Sequence, residues 1–191
     1  DSMVNHYTAN KRLRSNDAYT PDGRAGMRPD YATTVYCNIL KELFPEVPII
    51  IGGIEASLRR VTHYDYWSDQ LMPSILYSSK ADLLVYGMGE KPLTEIVSQI
   101  KAGKKVNEIH SVPQTAWLQK EQPANIQGSI TLSSHKECLN DKIKYAKNFR
   151  HVEEESNRWE GSMLIQQIYD NWLVINPQYP PMTEEEIDRV Y

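Results

Sequence analysis

Two apolar runs that each end in glycine constrain the fold of this chain more than any other feature. Residues 49–51 are three isoleucines followed by Gly52-Gly53, and residues 83–86 are followed by Gly87-Met88-Gly89-Glu90. Continuous apolar runs of this length predict strands that are buried on both faces, as in a parallel sheet. We therefore expect the two strands to be parallel, with Gly53 and Gly87 at the same edge of the sheet.

Apolar residues at helical spacing predict two helices beside these strands. The first is expected to begin with Asp30 as its cap and to end at Pro45, and the second carries Pro92 in its first turn. Their predicted buried stripes are Val35, Ile39, Leu40 and Leu43 in the first helix, and Leu93, Ile96, Val97 and Ile100 in the second. With a third short strand at 115–118, the order predicts an α/β fold with a partial, doubly wound parallel sheet.

The last third of the chain has a different pattern, and residues 151–191 are markedly acidic. Ser134 and Glu137 form a capping-box pattern that predicts a long polar helix reaching about Trp159. Residues 164–168 and 172–175 flank Asp170-Asn171 as a predicted hairpin, a proline-rich linker follows, and Thr183 is expected to cap a final helix. We therefore divide the chain into an α/β domain, 1–125, and a helix, hairpin and linker segment, 126–191.

Composition narrows the class of protein. The chain has two cysteines, Cys37 and Cys138, without the paired spacing of a disulfide framework or a metal site, which favours a reduced, cytoplasmic setting. No apolar run approaches the ~20 residues of a membrane span, and the first residues lack the pattern of a signal peptide. A net charge of −4 gives no indication of a nucleic-acid partner.

The glycine-bearing strand ends are the strongest candidate site. Ligands of open parallel sheets bind beyond the carboxyl ends of the strands, and Gly52, Gly53, Gly87 and Gly89 would let a ligand approach the backbone, with Glu90 beside them. The alternative is that these glycines only turn the chain. A dinucleotide fingerprint is excluded because Pro92 stands at its third glycine position, and no P-loop motif is present.

The connection from residue 54 to residue 81 is longer than a simple crossover requires and is rich in aromatic and charged residues. One interpretation is a lid or docking surface at the strand ends, to which Glu55, Arg59 and His63 would contribute. The other is an irregular crossover whose aromatic residues pack on the sheet. His63, Asp65 and Asp69 also form a weak metal-ligand pattern, of a kind that occurs often by chance.

Several long strings of the sequence resemble the N-terminal region of the YgiQ family of radical SAM proteins. They are residues 1–12 (DSMVNHYTANKR), 51–60 (IGGIEASLRR), 63–67 (HYDYW) and 86–92 (YGMGEKP). Residues 148–151 and 176–181 extend the resemblance, so that it covers essentially the whole chain.

The resemblance implies a bacterial cytoplasmic protein with a cobalamin-domain-like α/β region ahead of a radical SAM barrel. In that superfamily a [4Fe–4S] cluster, held by a Cys-x3-Cys-x2-Cys motif, cleaves S-adenosylmethionine reductively. Cys37 and Cys138 cannot supply that motif. The cluster ligands are therefore expected beyond Tyr191, in a downstream barrel that is the partner of this region, and the chain alone is expected to be inactive.

The resemblance also assigns a role to the strand ends, whose glycine loops are similar to those of cobalamin-binding radical SAM proteins. The candidate cofactor-binding residues are Gly52, Gly53, Glu55, Arg59, His63, Gly87, Gly89 and Glu90. The histidine-bearing loop of base-off cobalamin binders is not in this chain, so a cobalamin-like or nucleotide-like ligand and a ligand-free interaction domain remain alternatives. Because the chain resembles an α/β region without its first strands, an exposed or partner-covered sheet edge is expected.

Overall fold

The structure, a computed structural model, describes residues 10–124 and 127–189. The strands are β1 (Ile50–Ile51), β2 (His63–Asp65), β3 (Gln70–Met72), β4 (Leu83–Val85), β5 (Thr115–Gln119), β6 (Ile130–Leu132), β7 (Leu164–Ile168) and β8 (Asn171–Ile175). The helices are α1 (Ala32–Leu43), α2 (Gly53–Leu58), α3 (Ile75–Ser79), α4 (Glu90–Lys101), α5 (His135–Asn140), α6 (Lys142–Ser156) and α7 (Glu184–Asp188). Six strands form one sheet in the order β1-β4-β5-β8-β7-β6, and β2 pairs with β3 alone.

The two glycine-ended runs form neighbouring parallel strands, as predicted. Ile50 of β1 lies opposite Leu83 of β4, and Ile51 lies opposite Leu84. Both strands therefore end at the same edge of the sheet. The α/β class is confirmed.

The sheet is mixed, which differs from the predicted parallel arrangement. β4 pairs with β5, β5 with β8 and β7 with β8 in antiparallel fashion, whereas β6 and β7 are parallel. The physical reason lies in residues 102–114, which carry the chain from the end of α4 back to the end of β4. There the Tyr86 backbone N–H donates to the Gln114 carbonyl at 3.0 Å. The strand that follows must therefore run back along β4.

The C-terminal segment extends this same sheet. β8 pairs with β5 from Ala116 opposite Ile175 to Gln119 opposite Trp172. The predicted division between residues 125 and 126 falls outside the described residues, but strands on both sides of it share one sheet. The hairpin is present, with its turn at Tyr169-Asp170, one residue earlier than predicted, because Asn171 already pairs with Ile168.

The predicted long helix is two helices, α5 and α6. The Ser134–Glu137 capping box opens α5 as predicted. The chain breaks at Asp141, which is extended and whose carboxylate accepts a hydrogen bond from the Ile143 N–H at 2.8 Å. Aspartate is a preferred N-cap residue, so this position starts a second helix rather than continuing the first. Thr183 caps α7 as predicted.

The core lies on both faces of the sheet. Ile51, Leu84 and Leu173 of the strands pack on the first face with residues from α1, α2, α3 and α6. Leu83, Val85 and Trp117 pack on the second face with Ile96 of α4 and with the loop that follows it. No helix within the described ranges is long and apolar enough to cross a membrane.

The two predicted apolar stripes are helical but only partly packed, which corrects their assignment to the core. α1 begins at Ala32, and its N-cap position is held by Tyr31 rather than Asp30. Ile39, Leu40 and Leu43 are exposed on it, and Leu93, Val97 and Ile100 are exposed on α4. Periodicity predicts that a helix has an apolar face, but it does not show what covers that face.

Candidate functional site

The parallel strands β1 and β4 end beside a cavity of about 400 Å³, here called the strand-end crevice. Its walls come from the loop after β4 (residues 86–91), from Arg60 and Ser156, and from the C-terminal linker (residues 178–182). The loop is fixed by hydrogen bonds from the Gly87 N–H to Ser57 Oγ at 3.1 Å and from Gln114 Nε2 to the Tyr86 and Met88 carbonyls. The crevice lies at the carboxyl ends of β1 and β4, where the glycines predicted a site.

Arg60 forms one wall of the strand-end crevice. Its guanidinium donates to the Ser57 carbonyl and, at 3.1 Å, to Ser156 Oγ, and it lies 4.8 Å from the centre of the Tyr86 ring. Its Nε is buried and has no hydrogen-bond partner among the described residues. Burial lowers the pKa of Arg60 below its ordinary value and raises the pKa of Tyr86 to about 12. A fixed cation therefore faces a neutral phenol ring near pH 7.

Lys91 supplies a second cation and fastens the linker. Its ammonium is 2.8 Å from Glu186 Oε1 and 5.0 Å from the centre of the Tyr179 ring. The Tyr179 hydroxyl donates to Glu95 Oε2 at 2.6 Å, and burial together with this carboxylate raises the pKa of Tyr179. These contacts hold the linker across the mouth of the crevice.

The chemistry of the crevice suits an anionic group. Arg60 and Lys91 lie close to the first turn of α4, where backbone N–H groups carry partial positive charge. Gly89 occupies the N-cap position of that helix without a side-chain capping bond. A carboxylate or phosphate would meet Arg60 and these donors, while Lys91 is already paired with Glu186 and Glu90 adds a negative charge at the rim.

The predicted glycines differ in what they do. Gly87 lines the crevice with a φ of +68°, and a Cβ there would lie 3.0 Å from Gln114 Nε2. Gly53 has a φ of +81°, and a Cβ added there would meet no atom within 4 Å. A Cβ added at Gly52 would lie 3.3 Å from the Val85 carbonyl oxygen. Of the predicted binding residues, Gly87 and Glu90 line the crevice. Gly52, Gly53 and Gly89 lie beside it at the strand ends.

Glu55 and Arg59 belong to a buried ion-pair network instead. Arg59 donates to Glu55 Oε1 at 3.2 Å and to Asp65 Oδ1 at 3.1 Å, and all three residues are buried. Thr33 Oγ1 donates to Glu55 at 2.6 Å, and the Tyr31 hydroxyl donates to Asp65 at 2.8 Å. This network joins α1, α2 and the β2–β3 hairpin. In the structure, then, the Glu55 and Arg59 side chains connect elements of the fold rather than line the crevice.

The network also sets the charge state of Asp65. Burial would raise the pKa of Asp65, but hydrogen bonds from Ser68 and Tyr31 and the charge of Arg59 together bring that pKa below its usual value. Asp65 is therefore ionised at neutral pH. Because it is ionised, it can balance the charge of Arg59.

His63 is held nearby as a neutral ring. Its Nδ1 lies 3.0 Å from the Val61 carbonyl, and burial lowers its pKa to about 4. Asp65 is engaged by Arg59, and Asp69 accepts a hydrogen bond from Tyr64. Across the part of the chain that the structure describes, no three His, Cys, Asp or Glu side chains form a group able to hold a metal ion.

Much of the lining of the crevice was not predicted from the sequence, including Lys91, Gln114 and Tyr179. Arg60 is one of several charged residues in the 54–81 connection, and the prediction placed its neighbour Arg59 at the site instead. Tyr179 lies in the proline-rich linker. Its aromatic side chain is the one local indication in the sequence that this linker contacts another part of the chain. No local pattern shows that this linker returns to the strand ends.

The described chain is an α/β fold with a crevice lined by Arg60 and Lys91 at its strand ends, and comparison with known proteins gives its family. Residues 1–191 match the radical SAM N-terminal family, so the chain belongs to it.

Its relatives are UPF0313 proteins, which confirms the resemblance to the YgiQ family. The chain is 56% identical over 193 residues to one from Porphyromonas gingivalis and 53% identical over 203 residues to one from Bacteroides thetaiotaomicron. A relative from Clostridium botulinum is 45% identical over 191 residues. Each alignment covers all of this chain but only 30%, 33% and 30% of the respective relative. No solved structure was found to match the chain.

Proposed function

We propose that this chain is the N-terminal region of a radical SAM enzyme that, when intact, cleaves S-adenosylmethionine reductively at a [4Fe–4S] cluster. The observation that carries the proposal is the match of residues 1–191 to the radical SAM N-terminal family. The relatives are about three times as long as this chain, which leaves room for a catalytic barrel as its partner. The substrate of such an enzyme is left open.

The donor set of this chain does not fit the cluster. A [4Fe–4S] cluster needs three or four thiolates, and the chain has two cysteines. Cys37 lies on α1 and Cys138 on α5; both are buried, and burial raises the pKa of each thiol. Two buried, protonated thiols on separate helices are poor ligands. In this proposal the rest of the intact protein holds the cluster.

The strand-end crevice supports a second role, ligand binding, within the same protein. Its volume of about 400 Å³ falls in the usual range of small-molecule pockets, about 300–1,000 Å³. Arg60 and Lys91 favour the anionic part of a ligand, such as a nucleotide phosphate or an acidic edge of a larger cofactor. A preference for an anionic group favours the nucleotide-like alternative. Cobalamin would have only part of its surface in the crevice. We also propose a cytoplasmic location, from the family resemblance and the free cysteines.

Two measurements on the intact protein, turnover of S-adenosylmethionine and binding of ADP, test the two roles. Under anaerobic reducing conditions we expect the protein to convert S-adenosylmethionine to 5′-deoxyadenosine and methionine. Arg60→Met and Lys91→Met should weaken the binding of ADP, used as an anionic probe, at least tenfold. Lys120→Met is the matched control because Lys120 forms an exposed pair with Asp170 in a distant turn. Absence of cleavage would overturn the enzymatic proposal, and equal ADP affinity in all variants would overturn the ligand-binding role.

A further inference from the structure

The described sheet ends at β1, and the surface on that side is strongly apolar. β1 pairs with β4 on one side and has no strand partner on its outer side within residues 10–124 and 127–189. Parallel strands are normally covered on both faces and continued at their edges. An open β1 edge therefore indicates a surface that another segment covers.

Helix α1, on the first face of the sheet, has an exposed apolar stripe. Its members are Tyr36, Ile39, Leu40, Leu43, Phe44 and, just beyond the helix, Val47, and they are 44–64% exposed. The spacing of three and four residues places the helical ones on one face. On the side of α1 away from this stripe, Cys37 packs in the core and Asn38 Nδ2 donates to the Ser78 carbonyl of α3 at 3.1 Å. The apolar stripe of α1 therefore lies outside the contacts that hold the helix on the fold.

Helix α4, on the second face of the sheet, repeats the pattern. Leu93, Val97 and Ile100 are 40–46% exposed, while Ile96 is fully buried. Ile50 of β1 packs against the cluster that contains Ile96, and Ile51 packs in the cluster that contains Cys37 of α1. Apolar surface is therefore left uncovered on both faces of the sheet, next to its open edge.

We propose that a further segment of the same polypeptide, outside residues 1–191, completes the sheet beside β1 and covers the exposed faces of α1 and α4. The occupant must supply a backbone edge and apolar contacts on both sides of the sheet, which a strand with a helix packed on each of its faces does and a single helix does not. The relatives have about twice as much chain again outside the matched region, enough for such a unit. This inference rests on the surface and on family length, and it does not depend on the proposed chemistry.

A second copy of the chain fits these features less well. In a twofold dimer the same strand from each copy would pair with itself in an antiparallel arrangement. β1 is only two residues long, so such a pairing would contribute few hydrogen bonds. An intramolecular strand can instead extend past β1 while its flanking helices contact α1 on one face and α4 on the other.

Hydroxyl-radical footprinting of the intact protein tests the proposal. Tyr36, Leu43 and Phe44 should be modified at least fivefold more slowly than in the 191-residue chain. Phe149 and Ile143, 58% and 67% exposed on α6 and away from β1, provide the matched control and should react similarly in both. If the shorter chain does not fold, the comparison is made within the intact protein, between the α1 residues and these α6 residues.

A photoreactive residue then identifies the occupant. Leu43→p-benzoylphenylalanine in the intact protein should form a crosslink within the monomer, to a peptide outside residues 1–191. Crosslinking between two copies, visible as a dimer band, would overturn the proposal in favour of self-association. Modification of Tyr36, Leu43 and Phe44 at the rate of the control residues would also overturn it, because the surface would then be open to solvent.

Discussion

Two neighbouring arginines of this chain have different roles. Arg59 is buried between Glu55 and Asp65, so its charge is balanced inside the fold. Arg60 lines the strand-end crevice, where Ser57, Ser156 and the Tyr86 ring position it. The first arginine therefore stabilises the fold, and the second forms a wall of the crevice that we propose binds a ligand.

Removing the Arg59 charge should strongly destabilise the chain. Arg59→Met would remove the cation that lies between two buried carboxylates, and breaking a buried pair in this way costs about 3–5 kcal/mol. Urea denaturation should show this loss in the free energy of unfolding. Arg150→Met, which removes an exposed pair with Glu154, should leave the unfolding midpoint unchanged. Similar losses in both variants would contradict the assignment of Arg59 to a buried network.

His63 should make stability depend on pH. Its pKa is lowered from 6.5 to about 4 in the folded chain, so the unfolded chain binds the proton more readily. The stabilisation is fully present above pH 6.5 and is lost as the pH falls from 6.5 towards 4. His63→Gln should reduce this part of the loss, measured as the melting temperature at pH 7.5, 6, 5 and 4.5.

The half-exposed His151 provides the control for that measurement. His151→Gln controls for the loss of an imidazole as such, because the His151 side chain is 47% exposed. An identical pH dependence in the wild type and in His63→Gln would show that His63 does not contribute. Some dependence should remain in every variant, because burial also lowers the pKa of His110 and of His135.

At the scale of elements, the glycines at the strand ends divide into those that need a left-handed backbone and those that do not. Gly53 has a φ of +81°, whereas Gly89 has a φ of −84° and ordinary contacts at its Cβ position. Gly53→Ala should therefore cost about 1–2 kcal/mol of unfolding free energy, and Gly89→Ala clearly less. Urea titrations of the two variants make the comparison, and a larger loss in Gly89→Ala would contradict this reading of the backbone.

The elements that the sequence predicted correctly are those defined by local pattern. The runs at 49–51 and 83–86 became β1 and β4 because continuous apolar residues suit only a strand covered on both faces. The capping residues Ser134 and Thr183 also start helices as expected. The direction of β5 was not predictable, because it depends on where residues 102–114 bring the chain back.

The candidate site was predictable to a similar degree. The strand-end rule pointed to the strand ends where the crevice lies and to two residues that line it, Gly87 and Glu90. Glu55 and Arg59 lie close in sequence to that edge, yet the hairpin β2–β3 supplies Asp65 and draws both into a buried network. Tyr179 reaches the crevice through a long-range return of the linker, which no local pattern encodes.

At the scale of the molecule, residues on both sides of position 125 contribute strands to the six-stranded sheet. The strands β7 and β8 add to β5, and the linker after β8 passes over the ends of β1 and β4. The crevice is therefore formed by segments distant in sequence. Its shape depends on the whole chain being folded rather than on the strand ends alone.

The location of the iron–sulfur cluster tests the proposal that this chain is the cluster-free N-terminal region of a radical SAM enzyme. The intact protein and the 191-residue chain are reconstituted anaerobically with iron and sulfide, and iron content and the electron paramagnetic resonance of the reduced samples are measured. We expect one [4Fe–4S] cluster per intact protein, retained in the Cys37→Ser and Cys138→Ser variants, and no stoichiometric cluster on the shorter chain. The proposal would be contradicted by a reproducible cluster on the 191-residue chain, or by loss of the cluster from the intact protein in either variant.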